Sequence, residues 1–328
     1  MLQNWRMRWI LCLTLCAAAF SLRAAPLSEP LVFTGACDAS GAVGFPNGLF
    51  VVANDEDNIL RFYRASQPGK PVQTFDLNPI FTSKKKSPEA DLEGAAQLGS
   101  RLFFIASHGR NKDGKYVPAR HRFFALDIAD QSGEVQFRAA GLVYSNLVAD
   151  LARDPNYRSF RLAEASEHSP ETRGALNIEA LAATPAGGLL IGFRSPIPGR
   201  RALIAPLLNP DEVIAGKPPR FAKPLELDLN GLGLRDMGWT GQEYYLIAGP
   251  DDGGAVSRLY SWSGEAAPPR LIEAANFSGI NPEGICFLNV GVKNILILSD
   301  DGTRRINGQD CKDLPEAERQ FRAYRFSP

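Results

Sequence analysis

The chain has 328 residues, 45% of them hydrophobic, and its 36 basic and 36 acidic side chains cancel. This is the composition of a globular protein with a large core. It argues against a general affinity for nucleic acid or anionic membrane, which needs a basic surplus or stripe.

The first segment reads as a leader. Arg6 and Arg8 precede the apolar stretch Trp9 to Phe20, and small residues follow at Ala24 and Ala25. This is the order of a secretory signal, with cleavage expected after Ala24 and a mature chain over 25–328. The stretch is shorter than the roughly 20 residues a bilayer span takes, so no membrane span is expected. Export leaves three cysteines. Cys286 lies inside the apolar run Ile285–Leu288 and reads as a small buried hydrophobe. Cys37 and Cys311, at opposite ends of the chain, are predicted to form a disulfide.

Five times along the chain a polar opening precedes two short apolar runs joined by a turn. The openings are Asp38–Gly41, Asp91–Gly94, Asn177–Ala180, Arg235–Gly238 and Asn281–Gly284. The second runs, such as Leu102–Ile105 and Ile295–Leu298, end in polar clusters at 54–58, 107–111, 193–195, 250–253 and 299–302. Runs of about four β-branched and aromatic residues bounded by glycine are buried strands, and a third alternating strand usually follows. Equating Ser40, Glu93, Glu179, Asp236 and Glu283 gives intervals of 53, 86, 57 and 47 residues. Most match a four-stranded propeller blade of roughly 40–50 residues. The fold is therefore expected to be all-β: a single β-propeller of five blades, or six if the long interval hides a degenerate one. A short helical insertion over about 141–176 is expected, because Ser145–Arg153 has helical spacing and Asp154-Pro155 stops it. At the C-terminus, Leu314–Arg319 reads as a helical turn or two, and Phe321–Phe326 as a closing strand.

In a hairpin, the start of the first strand and the end of the second share one end, so the polar openings and the polar clusters should ring one channel mouth. Two carboxylates about 5 Å apart repel by roughly 3 kcal/mol at an effective dielectric near 20. Several together call for protonation, basic partners or a cation. The expected ligands are Asp38, Glu93, Glu179, Asp236 and Glu283, and oxygen-only donors favour Ca²⁺ ahead of Mg²⁺. The competing reading makes these acids structural, capping backbone amides between blades. His108 and Arg110, in Ser107–Asn111, are the candidate catalytic pair. Asn111, Arg194 and Asp300 are the candidate substrate-binding residues. Lys84–Lys86 reads as a solvated loop, placed just before Asp91 where it would guide an anion inward. Gly109–Lys115 has the spacing of a phosphate-binding loop but lacks the following Ser or Thr, and Asp55–Asp57 lacks the glycine of a helix-loop-helix calcium site.

Cys37–Ala42, Ala53–Asn58, Ser107–Asn111 and Ser299–Gly302 resemble a bacterial family of secreted proteins without assigned function, regarded as propeller-like. The glutamate-glycine openings more distantly resemble esterase-like phytase propellers and calcium-containing lactonase-type propellers. The resemblance implies a cation and a phosphate or ester ligand. The reading is an exported propeller whose acidic mouth serves a cation-dependent hydrolase acting on a small anionic or ester ligand. The alternative is a binding propeller without turnover.

Overall fold

A computed structural model describes residues 27–82, 87–131, 134–170, 172–254, 256–264, 267–288 and 294–328. The expected signal segment and Lys84–Lys86 lie outside the described residues.

Five four-stranded antiparallel sheets follow one another along the chain. From the innermost strand outward, blade 1 is Ala39–Gly44, Leu49–Asn54, Ile59–Arg64 and Gln73–Asp76. Blade 2 is Leu92–Leu98, Arg101–Ala106, Phe123–Gln131 and Glu134–Tyr144. Blade 3 is Asn177–Ala183, Leu189–Ser195, Ala202–Leu207 and Leu225–Leu227. Blade 4 is Gly233–Trp239, Tyr244–Gly249, Arg258–Trp262 and Arg270–Leu271. Blade 5 takes Pro282–Phe287, Ile295–Ser299 and Gln320–Phe326 from the C-terminal part and Leu31–Thr34 from the N-terminal part.

Each inner strand packs against the next, and the fifth packs against the first, so the ring is closed. The fold is a five-bladed β-propeller. Three short helices, Leu147–Arg153, Pro155–Phe160 and Leu162–Ala165, stand between blades 2 and 3, within the interval where the insertion is expected.

Each blade is too thin to bury both of its own faces, and the apolar side chains answer by forming separate cores between neighbours. Val51 and Phe104 belong to the core between blades 1 and 2, Phe103 and Ile191 to the next, and Leu190 and Leu246 to the third. Ile247 with Ile297, and Phe50 with Leu298, represent the last two. A buried side chain of this size contributes about 1.5–3 kcal/mol.

Ring closure has its own fastenings. Leu31–Thr34 pairs with Phe321 and its neighbours, and Phe33 lies against Phe50 and Phe321 at centroid distances of 5.1 and 5.4 Å. The expected disulfide is present: Cys37 and Cys311 are bonded across 274 residues of chain, and Cys286 is free and buried.

Candidate functional site

The channel mouth is built by a repeated irregularity. In blade 2 the pairing steps from Leu92↔Ala106 to Gly94↔Ile105, so Glu93 is an extra residue on the inner strand. The same step passes over Glu179 in blade 3, Arg235 in blade 4 and Glu283 in blade 5. In blade 1 the extra residue falls within Ser40-Gly41. A β-bulge kinks a strand and re-aims one side chain, and here it does so five times at one level of the ring.

This register corrects an expected equivalence. Arg235, and not Asp236, occupies the position of the three glutamates. Asp236 stays out of the ring: its carboxylate accepts the N–H groups of Met237 at 2.8 Å and of Ile285 at 2.7 Å, which pins blade 4 to blade 5. Burial holds it well above the usual carboxylate range, against those two hydrogen bonds.

The change of sign at Arg235 rearranges the electrostatics. Its guanidinium contacts Glu283 closely and lies 3.4 Å from Glu179. Arg194 Nη1 donates to Glu179 Oε1 at 2.8 Å, and its Nε donates to the Pro250 carbonyl. Asn177 and Asn281 turn their amide nitrogens to the Glu179 and Glu283 carboxylates. Arg120 pairs with Asp91 at 2.8 Å and contacts Glu89. On the side of blades 3 to 5 the expected cation ligands Glu179 and Glu283 are therefore already partnered.

The opposite side of the mouth is different. Asp38, Asp55 and Glu56 offer ligand oxygens that all lie within 4.8 Å of one another. Asp38 is pushed up to about 8, first by burial and then by Asp300 and Glu56. Asp55 is raised well above its ordinary range, first by burial and then by Asp38, Glu93 and Asp300. Its Oδ1 is buried without a hydrogen-bond partner among the described residues. The nearest described compensation is Lys312 Nζ, 3.6 Å from Glu56. A Cβ at Gly302 would sit 1.6 Å from Asp38 Oδ1, so any larger residue there displaces that carboxylate.

Glu93 stands between the two halves. It is 9% exposed and has no ion pair or hydrogen bond among the described residues. Burial, then Asp91 and Glu179, raise its carboxyl well above the ordinary range. Asp300 accepts from Asn281 Nδ2 and the Gly302 N–H beside Asp38.

The other predicted residues are elsewhere engaged. His108 is fully buried, with a left-handed φ of 53°. Its Nδ1 donates to the Ala106 carbonyl at 2.8 Å, and burial pushes it down to about 3, so the ring is neutral. It cannot meet a ligand in this arrangement. Arg110 donates to the carbonyls of Ser166 and Gly114 and contacts Glu167, clamping the helical insertion. Asn111 Oδ1 accepts the N–H groups of Asp113 and Lys115, which is turn chemistry.

Sequence reasoning placed Asp55 and Glu56 on the correct face but not among the ligands. The signal that finds them is their place at the end of a second strand, one and two residues past Asn54, which faces Ala39.

Residues 127–277 match the family described as a protein of unknown function, DUF3616. The match runs from the third strand of blade 2 through blade 4. No curated protein matches the chain. Among solved structures, the glutaminyl cyclase of Myxococcus xanthus is similar at 12% identity and a TM-score of 0.46, over 93% of this chain and 97% of that one. The PQQ-bound aldose sugar dehydrogenase of Streptomyces coelicolor is similar at 10% identity and a TM-score of 0.42, over 92% of this chain and all of that one. Likenesses this remote carry no argument about activity, and they do not carry the likeness to phytase-like propellers.

Proposed function

We propose that this protein is an exported propeller whose channel mouth binds a hard divalent cation, Ca²⁺ ahead of Mg²⁺, and hydrolyses a small anionic ester there. The observation that carries the reading is the group Asp38, Asp55 and Glu56, three carboxylates met by the single cation Lys312 among the described residues, with a buried Asp55 oxygen that has no partner there. Hard oxygen donors of this kind, with no imidazole or thiolate among them, suit calcium or magnesium. Export is supported by the Cys37–Cys311 disulfide, since disulfides persist in oxidising compartments, and by the leader-like first 24 residues.

A bound cation supplies charge stabilisation to an ester or phosphoryl oxygen and an acidified water. The protein's own groups divide the remaining work. Glu93, whose carboxyl burial and then Asp91 and Glu179 raise well above the ordinary range, is the general acid for the leaving oxygen. Arg194 and Arg235 hold the anionic part of the ligand while keeping their grip on Glu179. The burial of His108 and the engagement of Arg110 favour a second reading, ligand binding without turnover.

Metal analysis of the purified mature protein, with thermal unfolding in Ca²⁺ and in chelator, tests the cation. A bound cation and a chelator-sensitive Tm support the reading; neither, and the acids are structural. A panel of phosphomonoesters, phosphodiesters and lactones then separates the two readings. Turnover abolished by chelator and lost at least 100-fold in Glu93→Gln supports hydrolysis. A cation without turnover on the panel supports binding alone.

A further inference from the structure

The opposite mouth of the channel has a different chemistry. A cavity of about 350 Å³ opens there, and its walls come from the inner strands of all five blades. Its upper wall is set by Ala42, Ala95, Leu181, Met237 and Ile285. Each of these stands two residues beyond Ser40, Glu93, Glu179, Arg235 or Glu283, so about 7 Å of strand separates the charged ring from a chamber without ionisable side chains. None of the lining residues is Asp, Glu, Lys, Arg or His, in a chain with 22% charged residues. Trp239 and Phe287 present half-buried rings; Thr240 Oγ1 is taken up by Gln242 and Glu243 and Gln97 Nε2 donates to the Gly99 carbonyl, which leaves the Gln97 Oε1 to accept from a guest. The thiol of Cys286 also lines the cavity; it is 1% exposed and has no hydrogen-bond partner among the described residues.

Unfilled apolar space in a protein destabilises it, and a larger residue at Ala183 would narrow this one. An apolar chamber of less than half this volume, roughly 150 Å³, takes up benzene. The size falls within the roughly 300–1,000 Å³ of ordinary ligand sites.

We propose that this chamber is a second ligand site, separate from the cation site, for a small uncharged aromatic molecule carrying one hydroxyl or N–H. The absence of ionisable walls selects against charge, because a buried ion here would have no counterion. Trp239 and Phe287 supply aromatic faces, and the unbranched Met237 side chain adapts to the shape of the guest.

The experiment titrates p-cresol and indole, with benzoate as the charged control, into the disulfide-intact mature protein. Ligand-observed NMR and thermal unfolding report binding, in Ca²⁺ and again in chelator. The expected result is saturable binding of the two uncharged probes, at least tenfold weaker for benzoate, with the same affinity in chelator as in Ca²⁺. Ala183→Leu, which narrows the opening, and Trp239→Ala, which removes an aromatic wall, should each weaken p-cresol at least tenfold while the Tm of the free protein shows both to be folded. Absence of saturable binding overturns the proposal. So does unchanged affinity in both variants, and so does affinity that chelator abolishes, which would place the probe at the cation mouth.

Discussion

At His108, burial and hydrogen bonding act on one ring in opposite directions, and burial wins: the imidazole is held down to about 3 although it bonds the Ala106 carbonyl. The unfolded chain takes up that proton near 6.5. Between about 6.5 and 3 the unfolded state therefore holds a proton the folded state does not, and stability is lost as pH falls through this window. The loss is about 1.4 kcal/mol per pH unit, or about 2 kcal/mol by pH 5. His108→Asn tolerates the left-handed backbone and lacks the proton site. Its destabilisation relative to the natural protein should shrink by about 2 kcal/mol between pH 7 and pH 5, as measured by urea unfolding. Equal gaps at both values would refute the assignment. Asp55 poses the reverse case, a carboxylate without compensation. Asp55→Asn should abolish the Ca²⁺-dependent rise in Tm, while in chelator the variant should melt no lower than the natural protein. A Ca²⁺ shift that survives the substitution would remove Asp55 from the ligands.

At the scale of the strand, one extra residue decides which side chains face the channel. The bulge brings Arg235 between Glu179 and Glu283, and removing one member of a buried ion network leaves the others uncompensated. Arg235→Leu should cost about 3–5 kcal/mol at pH 7. A denaturant series on the natural protein and the variant measures this. The inner and second strands were legible because they are buried on both faces and read as unbroken apolar runs, as in Leu102–Ile105. The outermost strands were not. Gln73–Asp76 and Leu225–Leu227 are short and half-exposed, and their pairing to a neighbour leaves no hydrophobic pattern in the chain. His108, Arg110 and Asn111 misled for a related reason. Position after a buried strand puts a residue near the mouth, but side-chain direction depends on the backbone, and φ at His108 is positive.

For the whole molecule, closure depends on the two chain ends meeting in blade 5. The Cys37–Cys311 disulfide spans 274 residues, so it restricts the unfolded chain strongly. Cys37→Ser with Cys311→Ser should lower stability by about 2–5 kcal/mol, read by urea unfolding. The cation mouth ties stability to pH with the opposite sign from His108. Asp38 retains its proton up to about 8 in the folded state against 3.8 ordinarily, so without a cation stability falls as pH rises through that interval. A cation competes with that proton. The Tm increase from saturating Ca²⁺ should accordingly be larger at pH 8 than at pH 5.5, and an increase independent of pH would remove Asp38 from the ligands.

The chain alone determined the propeller and the hairpins within its blades, because these follow from spacing that repeats every 47 to 86 residues, and its cysteine usage pointed to the disulfide; the count of five rather than six blades came from the tertiary structure. It also placed the polar openings and strand ends together at one mouth, since hairpin geometry requires it. Only the tertiary structure decided which of those groups remain unpaired. A single-residue bulge leaves no mark on composition, yet it exchanges Asp236 for Arg235 at the ring and so neutralises the carboxylates of blades 3 and 5. Pairing between blades is set by contacts among residues far apart in sequence, and that leaves Asp38, Asp55 and Glu56 on the opposite side with Lys312 as the one cation described beside them.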